Sequence, residues 1–417
     1  MRKALITAAI AAAFAPGMAL ATDGYFQDGY GMKANGMGGV GIALPQDALA
    51  PATNPAGLTM VGDRLDVGAT LFRPVRGAEV VGNGAGLSGS YDGNDKADFV
   101  IPEFGYSKML NPDLAVGVAV YGNGGMNTTY KPSPFAAFGG TSPTGVDLTQ
   151  LFISPTVAYK LNPNNSIGLA LNLAYQQFGL SGLATSAFAG FSSNPANFSD
   201  RGKDSASGWG VRIGWTGQIT PTVTLGATYQ SKTKMGKFDN YSGLFANQGE
   251  FDIPENYGLG IAVKTTPRLT LAADVVQINY SKIAAVGDPI DGLFGGSTFG
   301  STNGPGFGWR DVTVLKLGAS YAYSDRLTLR GGFQTLTQPI PANQTLFNIL
   351  APGVVENQVS LGATWALSDK SEVTVAYMHA FKTTVDGSGS IPPAFGGGEA
   401  NLSMYQDTIG IAYGLKM

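Results

Sequence analysis

Apolar residues alternate with small or polar ones along most of this chain, in runs of eight to ten positions. In TVTLGATYQ (residues 222–230), Val223, Leu225, Ala227 and Tyr229 fall on one face and Thr222, Thr224, Gly226 and Thr228 on the other. QVSLGATWAL (358–367) repeats the plan, with Val359, Leu361, Ala363, Trp365 and Leu367 opposite Ser360, Gly362, Thr364 and Ala366. NYGLGIAVK, RLTLAADV and KLGASYAY read the same way. A period of two over this length predicts strands whose two faces meet different surroundings. A soluble sandwich alternates too; a membrane barrel does so with lipid on its apolar face and a lumen on the other.

Turn chemistry counts the strands. NPD (111–113), NPNN (162–165), TP (220–221), TP (266–267), SD (324–325) and SDK (368–370) each join two alternating runs directly. Asn, Asp and Pro supply the hairpin geometry. Between these turns lie longer segments, roughly 82–97, 128–147, 182–205, 236–251, 282–306, 337–355 and 384–400. Six short turns and seven long loops make thirteen connections, hence fourteen strands beginning near Arg64. Bacterial barrels have an even strand number, short periplasmic turns and long outer loops. The last strand, DTIGIAYGLKM, alternates Ile409, Ile411, Tyr413, Leu415 and Met417. It resembles the C-terminal signal read by the barrel-assembly machinery, although that signal usually ends in Phe or Trp.

Composition thins the competing classes. Only 13% of residues are charged, against ~25% in soluble domains, and 60 of 417 are glycine, about twice the average share. Cysteine is absent, so neither disulfides nor thiolate metal sites are available. A net charge of −3 gives no basic footprint for nucleic acid. The opening MRKALITAAIAAAFAPGMALA combines Arg2 and Lys3, an apolar run over 4–15 and the small-x-small site Ala19-Leu20-Ala21. That layout predicts a secretory signal peptide over 1–21, with the mature chain starting near Thr22. Beyond it no run of 18 apolar residues occurs, so no transmembrane helix is expected. Together these features point to an all-β, 14-stranded antiparallel transmembrane β-barrel in a Gram-negative outer membrane.

Residues 22–63 precede the first strand and are not strand-like. About forty residues suffice to fold inward as a plug, or hatch, inside the lumen of a barrel over 64–417. GMGGVG (36–41) has the G-x-G-x-x-G spacing of a dinucleotide loop, which needs a strand before it and a helix after it. The adjoining stretch, ALPQDALAPATNP, is broken by three prolines and cannot supply that helix. The glycines then serve close backbone packing in a narrow bore, and no cofactor is expected. No Asp/Glu/His cluster has metal-ligand spacing. His379, the only histidine, has no serine beside it and shares outward parity with Val375 and Tyr377, so no enzyme is expected.

Gly36, Gly38, Gly39 and Ala43, then Asp47-Ala48 and Asn54-Pro55-Ala56-Gly57, make this segment resemble that of the FadL family. These are outer-membrane transporters of long-chain fatty acids and related hydrophobic compounds, including aromatic hydrocarbons. The resemblance continues in IPEFGYS (101–107), WRDVTVLKLGASY (309–321), LRGGF (329–333) and VAYMHA (375–380). It implies a monomer among outer-membrane lipid and lipopolysaccharide that takes up a hydrophobic small molecule by gated diffusion. A porin for small hydrophilic solutes is the alternative.

Parity places candidate residues on that frame. On strand five the inward set runs Gly168, Ala170, Asn172, Ala174 and Gln176, then Phe178 and Leu180. On strand nine Thr270, Ala272 and Asp274 give way to Val276, Ile278 and Tyr280; on strand ten Ser320, Gly318 and Lys316 give way to Val314 and Val312. An inward face that turns apolar toward its outer end suits a hydrophobic ligand, unless a bulge flips it. Arg310 continues the inward parity. The resemblance associates a basic residue there with the ligand headgroup; a lumen salt bridge to Asp274 or Glu103 is the other reading. Members that carry fatty acids also have basic residues on strand five, where this chain has YQQFGLSGL, which favours neutral hydrocarbons or aromatics. Phe188, Phe191 and Phe198 of the third loop, with Tyr241, Leu244 and Phe245 of the fourth, are candidates for a capture groove, or for a core of the loops themselves. Strand three alternates until Gly122-Asn123-Gly124-Gly125, which interrupts pairing and lets a strand bend. There the resemblance places a sideways exit into lipid; a strand ending at a loop would look similar.

Overall fold

The computed structural model describes residues 23–417, so the signal peptide expected over 1–21 lies outside the described residues. Fourteen long strands follow one another round a single antiparallel sheet. The first seven are β1 (Arg64–Val81), β2 (Phe99–Met109), β3 (Leu114–Asn127), β4 (Gly145–Asn162), β5 (Asn165–Ser181), β6 (Asp204–Thr220) and β7 (Val223–Gln230). The others are β8 (Asn256–Lys264), β9 (Leu269–Ile278), β10 (Val312–Ala322), β11 (Leu327–Leu336), β12 (Asn357–Ala366), β13 (Ser371–Val385) and β14 (Glu399–Lys416). β14 pairs back onto β1 from Arg64↔Lys416 to Val81↔Glu399 and closes the barrel. The strand count and all six tight turns agree with alternation and turn chemistry. Two short segments add to the sheet: Gly89–Asp92 on the outer part of β1 and Lys234–Met235 on β6.

The two faces differ as lipid and lumen demand. Leu169, Leu171, Leu173, Leu259, Leu361, Ile409 and Ile411 point outward and stay exposed, while Asn172, Gln176, Ser360 and Thr408 between such positions are buried. Exposed Tyr159, Trp365 and Tyr413 near the short turns, and Trp209, Tyr229 and Tyr257 toward the loops, form two aromatic girdles.

Residues 23–63 occupy the lumen and bond to strands around it. Ala48 N donates to Asp66 (2.8 Å), Gly31 N to Glu103 (3.2 Å), Thr59 Oγ1 to Ser166 (2.8 Å) and Gly38 N to Ser360 (2.7 Å). Asp274 accepts from Gly41 N and Ile42 N at 2.7 and 3.0 Å. Inward glycines make room. A β-carbon on Gly362 would come within 2.9 Å of Gly36 Cα, and one on Gly105, Gly168, Gly214, Gly226, Gly318 or Gly332 would press the segment more closely still.

Candidate functional site

The wall is interrupted between β2 and β3. β3 pairs with β2 only from Met109↔Ala115 to Phe104↔Val120, yet continues along β4 to Asn127↔Asp147. Residues 121–127 therefore have no β2 partner, and residues 99–103 of β2 pair with β1 alone. A one-residue bulge at Asn123, between Gly122↔Leu151 and Gly124↔Gln150, bends β3 there. Pro102 lies in the one-sided stretch of β2, an edge setting that suits a residue unable to donate to a ladder. Above the gap the chain closes again: Asp95 N donates to Thr129 O (3.2 Å) and Thr129 N to Gly93 O (2.9 Å). The result is a gap in the ladder, called the window below, beside which Phe72, Phe99 and Ile101 form a buried cluster.

The lumen segment takes up the freed side of β3. Gly125 N donates to Tyr25 O (2.9 Å), Gln27 N to Asn123 O (3.1 Å) and Tyr30 OH to Asn123 O (3.3 Å). On the far wall Lys316 Nζ meets Asp23 Oδ2 at 2.9 Å. Gln334 also donates to Asp23 and Gln358 to Asp28, while Tyr280 OH donates to Asp23 O. Residues 23–30 thus span the bore from the window to β10–β12. Toward the short turns, Arg64 pairs with Asp66 (2.6 Å) and Glu372 (2.7 Å), and Lys33 with Glu372 (2.5 Å). Burial, then the facing Asp66 carboxylate, push nearby Asp47 up to about 6.

Toward the outer mouth Phe178 and Leu180 meet Leu244 and Phe245 around a void also lined by Val146, Ala285, Phe307, Phe347 and Leu350, with no charged side chain. It holds about 10 Å³, whereas an engineered cavity of roughly 150 Å³ takes benzene. Side chains must move before a ligand fits. Val276 and Ile278 line a separate void of about 50 Å³ together with Asp23, Arg212, Asp274 and Lys316. Val312 and Val314 are buried in the main apolar core. The inward faces of β5, β9 and β10 do turn apolar toward the loops, but the seven pocket candidates do not meet in one cavity.

Arg310 departs from its expected place: its side chain is exposed. Regular pairing of β10 begins at Val312, and Gly308, at φ +70°, turns the chain just before it. Trp309 goes inward instead, donating from Nε1 to Asn348 Oδ1 at 2.6 Å. Arg310 N binds Pro339 O (2.8 Å), so parity cannot be extended through this corner, and Arg310 stands exposed instead of inside the lumen.

The capture-groove reading is corrected as well. Phe188, Phe198, Tyr241, Leu244 and Phe245 are buried and Phe191 half-buried. The third and fourth loops do meet, with Ser192 Oγ donating to Gly243 O (2.6 Å) and Gly243 N to Asn197 O (3.0 Å). Their aromatic rings, however, pack inward: Phe178–Phe245 centroids are 4.6 Å apart and Phe198–Phe299 centroids 5.1 Å. Removing such area from water outweighs leaving it open as a groove.

The glycines of residues 23–63 expected to form a hatch, and the lone histidine, have structural settings. Gly38 and Gly39 take φ of +67° and +78°, and a β-carbon on Gly57 would come within 2.5 Å of Pro45. Asn54 caps the short turn begun by Pro55, accepting from Ala56 N (3.1 Å) and donating to Ile42 O (2.8 Å) and Trp215 O (2.9 Å). His379 sits on the outer wall, 2.8 Å from Asp407, which also accepts from Tyr377 OH (2.6 Å). Alternation did not single out Trp309, Arg212 or the Lys316–Asp23 pair. Arg212 and Lys316 are charged residues at inward positions, legible only once a partner inside the lumen is known, and Trp309 lies before its strand, where parity does not apply.

A family model described as outer membrane protein transport protein (OMPP1/FadL/TodX) matches residues 7–391. The long-chain fatty acid transport protein of Escherichia coli K12 is 25% identical over 409 residues, covering 85% of this chain and 86% of its own. The Pseudomonas putida toluene transporter TodX superposes with a TM-score of 0.69 at 18% identity, covering 94% of this chain and 99% of its own. A Pseudomonas aeruginosa FadL homologue gives 0.71 at 16%, with the same coverage.

Proposed function

Because the chain belongs to the outer membrane protein transport protein family (OMPP1/FadL/TodX), we propose that it carries hydrophobic small molecules across a Gram-negative outer membrane by gated diffusion. The single observation that carries this reading is the stretch of β3, residues 121–127, that has no β2 partner although residues 99–103 of β2 run on beside it. A ligand arriving through the loops passes the apolar void at Phe178 and Phe245 and leaves sideways through the window into lipid. Residues 23–63 act as a hatch: their first turn occupies the freed edge of β3, so the window clears when that turn withdraws. A bore filled in this way does not suit a hydrophilic porin.

The ligand class follows from charge. The E. coli relative is named for long-chain fatty acids and TodX for toluene. Here the outer void has no charged lining and Arg310 lies outside, so neutral aromatic or aliphatic hydrocarbons fit better than carboxylates. The chain acts as a transporter without catalysis, as a monomer in lipid and lipopolysaccharide, delivered by the barrel-assembly machinery.

Uptake by cells lacking their own hydrocarbon transporter tests this. Expression should speed entry of labelled toluene more than that of oleate and leave glucose permeation unchanged. Faster glucose permeation without any gain for toluene or oleate would establish the porin instead.

A further inference from the structure

Three outer loops repeat one short device: Ala137-Phe138-Gly139-Gly140, Leu293-Phe294-Gly295-Gly296 and Ala394-Phe395-Gly396-Gly397. Each belongs to a 3-10 turn, Ala136–Phe138, Ile290–Gly295 or Pro393–Phe395, closed by a left-handed glycine at φ +84°, +92° or +89°. Only glycine takes that conformation cheaply; it follows Phe138 and Phe395 directly, at Gly139 and Gly396, and Phe294 one residue later, at Gly296, so the three loops share the turn but not its register. A further 3-10 turn, Ala187–Phe191, also ends on phenylalanine. The four turns come from four different loops, yet their rings converge. Phe138, Phe294 and Phe191 stand 5.3, 5.8 and 6.0 Å from Phe395, centroid to centroid. Phe395 is buried beneath them, whereas Phe294 is 45% exposed and Phe138 and Phe191 are half-buried.

From Phe395 aromatic contacts run inward. Phe188 stacks on it at 5.6 Å and reaches Phe347 at 6.3 Å. Phe347 stacks on Phe307 at 5.3 Å, and both line the outer void. We propose that Phe138, Phe191 and Phe294, set around Phe395, form the first docking site for a neutral aromatic ring, which then passes inward along Phe188 and Phe347. This rests on the proposed transport of hydrocarbons. Phenyl edges and faces favour another aromatic ring over a saturated one of equal size. The one charged side chain on the four turns is Asp291, which repels a carboxylate.

The test compares toluene with methylcyclohexane. In F138A/F294A, initial toluene uptake at sub-saturating concentration should fall about three- to tenfold, while the folded, heat-modifiable barrel is retained. In F138L/F294L, which keeps apolar bulk without rings, methylcyclohexane uptake should persist and the preference for toluene disappear. Saturation-transfer NMR of toluene on purified protein reads docking directly, and its signal should weaken in both variants. Wild-type toluene uptake and NMR signal in F138A/F294A, or equal loss of both probes in F138L/F294L, would overturn the proposal. If wild-type protein moves no toluene yet shows the ring-dependent NMR signal, the docking site stands and the transport reading falls.

Discussion

Lys316 Nζ and Asp23 Oδ2 face each other at 2.9 Å in the lumen, with side chains only 8% and 4% exposed. The pair ties the start of the hatch to β10. Lys316→Met leaves a buried carboxylate without its cation, at a cost of about 3–5 kcal/mol. Withdrawal of residues 23–30 relieves that cost more readily than opening the barrel does. Larger single-channel conductance in planar bilayers and faster proteolysis of the segment should result. Adding Asp23→Leu should restore the closed state, and wild-type conductance in Lys316→Met would show that the pair does not hold the hatch.

Deletion of Asn123 removes the extra residue of the bulge and lets β3 run in even register with β4. It also takes away the partners of Gln27 N and Tyr30 OH. A folded, heat-modifiable barrel that binds ligand but no longer delivers it is the expected product. Undiminished uptake would place the exit elsewhere. Gly124→Ala should act oppositely, since its β-carbon would strike the Tyr25 carbonyl and push the hatch from the window.

Arg310→Ala should leave the affinity for toluene and for oleate within about twofold of wild type, because an exposed side chain usually changes energies by less than about 0.5 kcal/mol. Titration calorimetry in detergent measures both. A selective loss of oleate affinity would return Arg310 to the headgroup role.

Asp47, held up at about 6 by burial and then by Asp66, against Lys33 and Arg64, gives the docked hatch a pH dependence. Its docked value lies above the ordinary 3.8. Its contribution is complete below the ordinary value and is lost as pH rises through about 6, because the docked state binds the extra proton. The temperature of heat modification should therefore fall between about pH 4.5 and 7. Asp47→Asn should show a shallower fall; an unchanged slope would assign the dependence to other carboxyls.

Alternation and turn chemistry were enough for the strands, because a wall between lipid and lumen imposes a strict period of two. Gly124 stood out for the same reason, as a break in that period. Legibility ended where the ladder did. Arg310 was carried two residues beyond β10 on parity, across a corner already marked by Gly308. Phe188 and Phe245 stayed undecided between open groove and loop core because an apolar loop residue gives no hint whether another loop covers it. Phe395 became meaningful only when three other loops brought their rings to it.

The glycines facing the bore make barrel and hatch a mould and its cast. Where Gly168, Gly226 and Gly332 leave no side chain on the wall, the hatch backbone supplies the missing surface. Neither half can then drift alone. A methyl group gained on one side needs space surrendered on the other, so chimaeras between relatives should seat only when barrel and hatch are exchanged together.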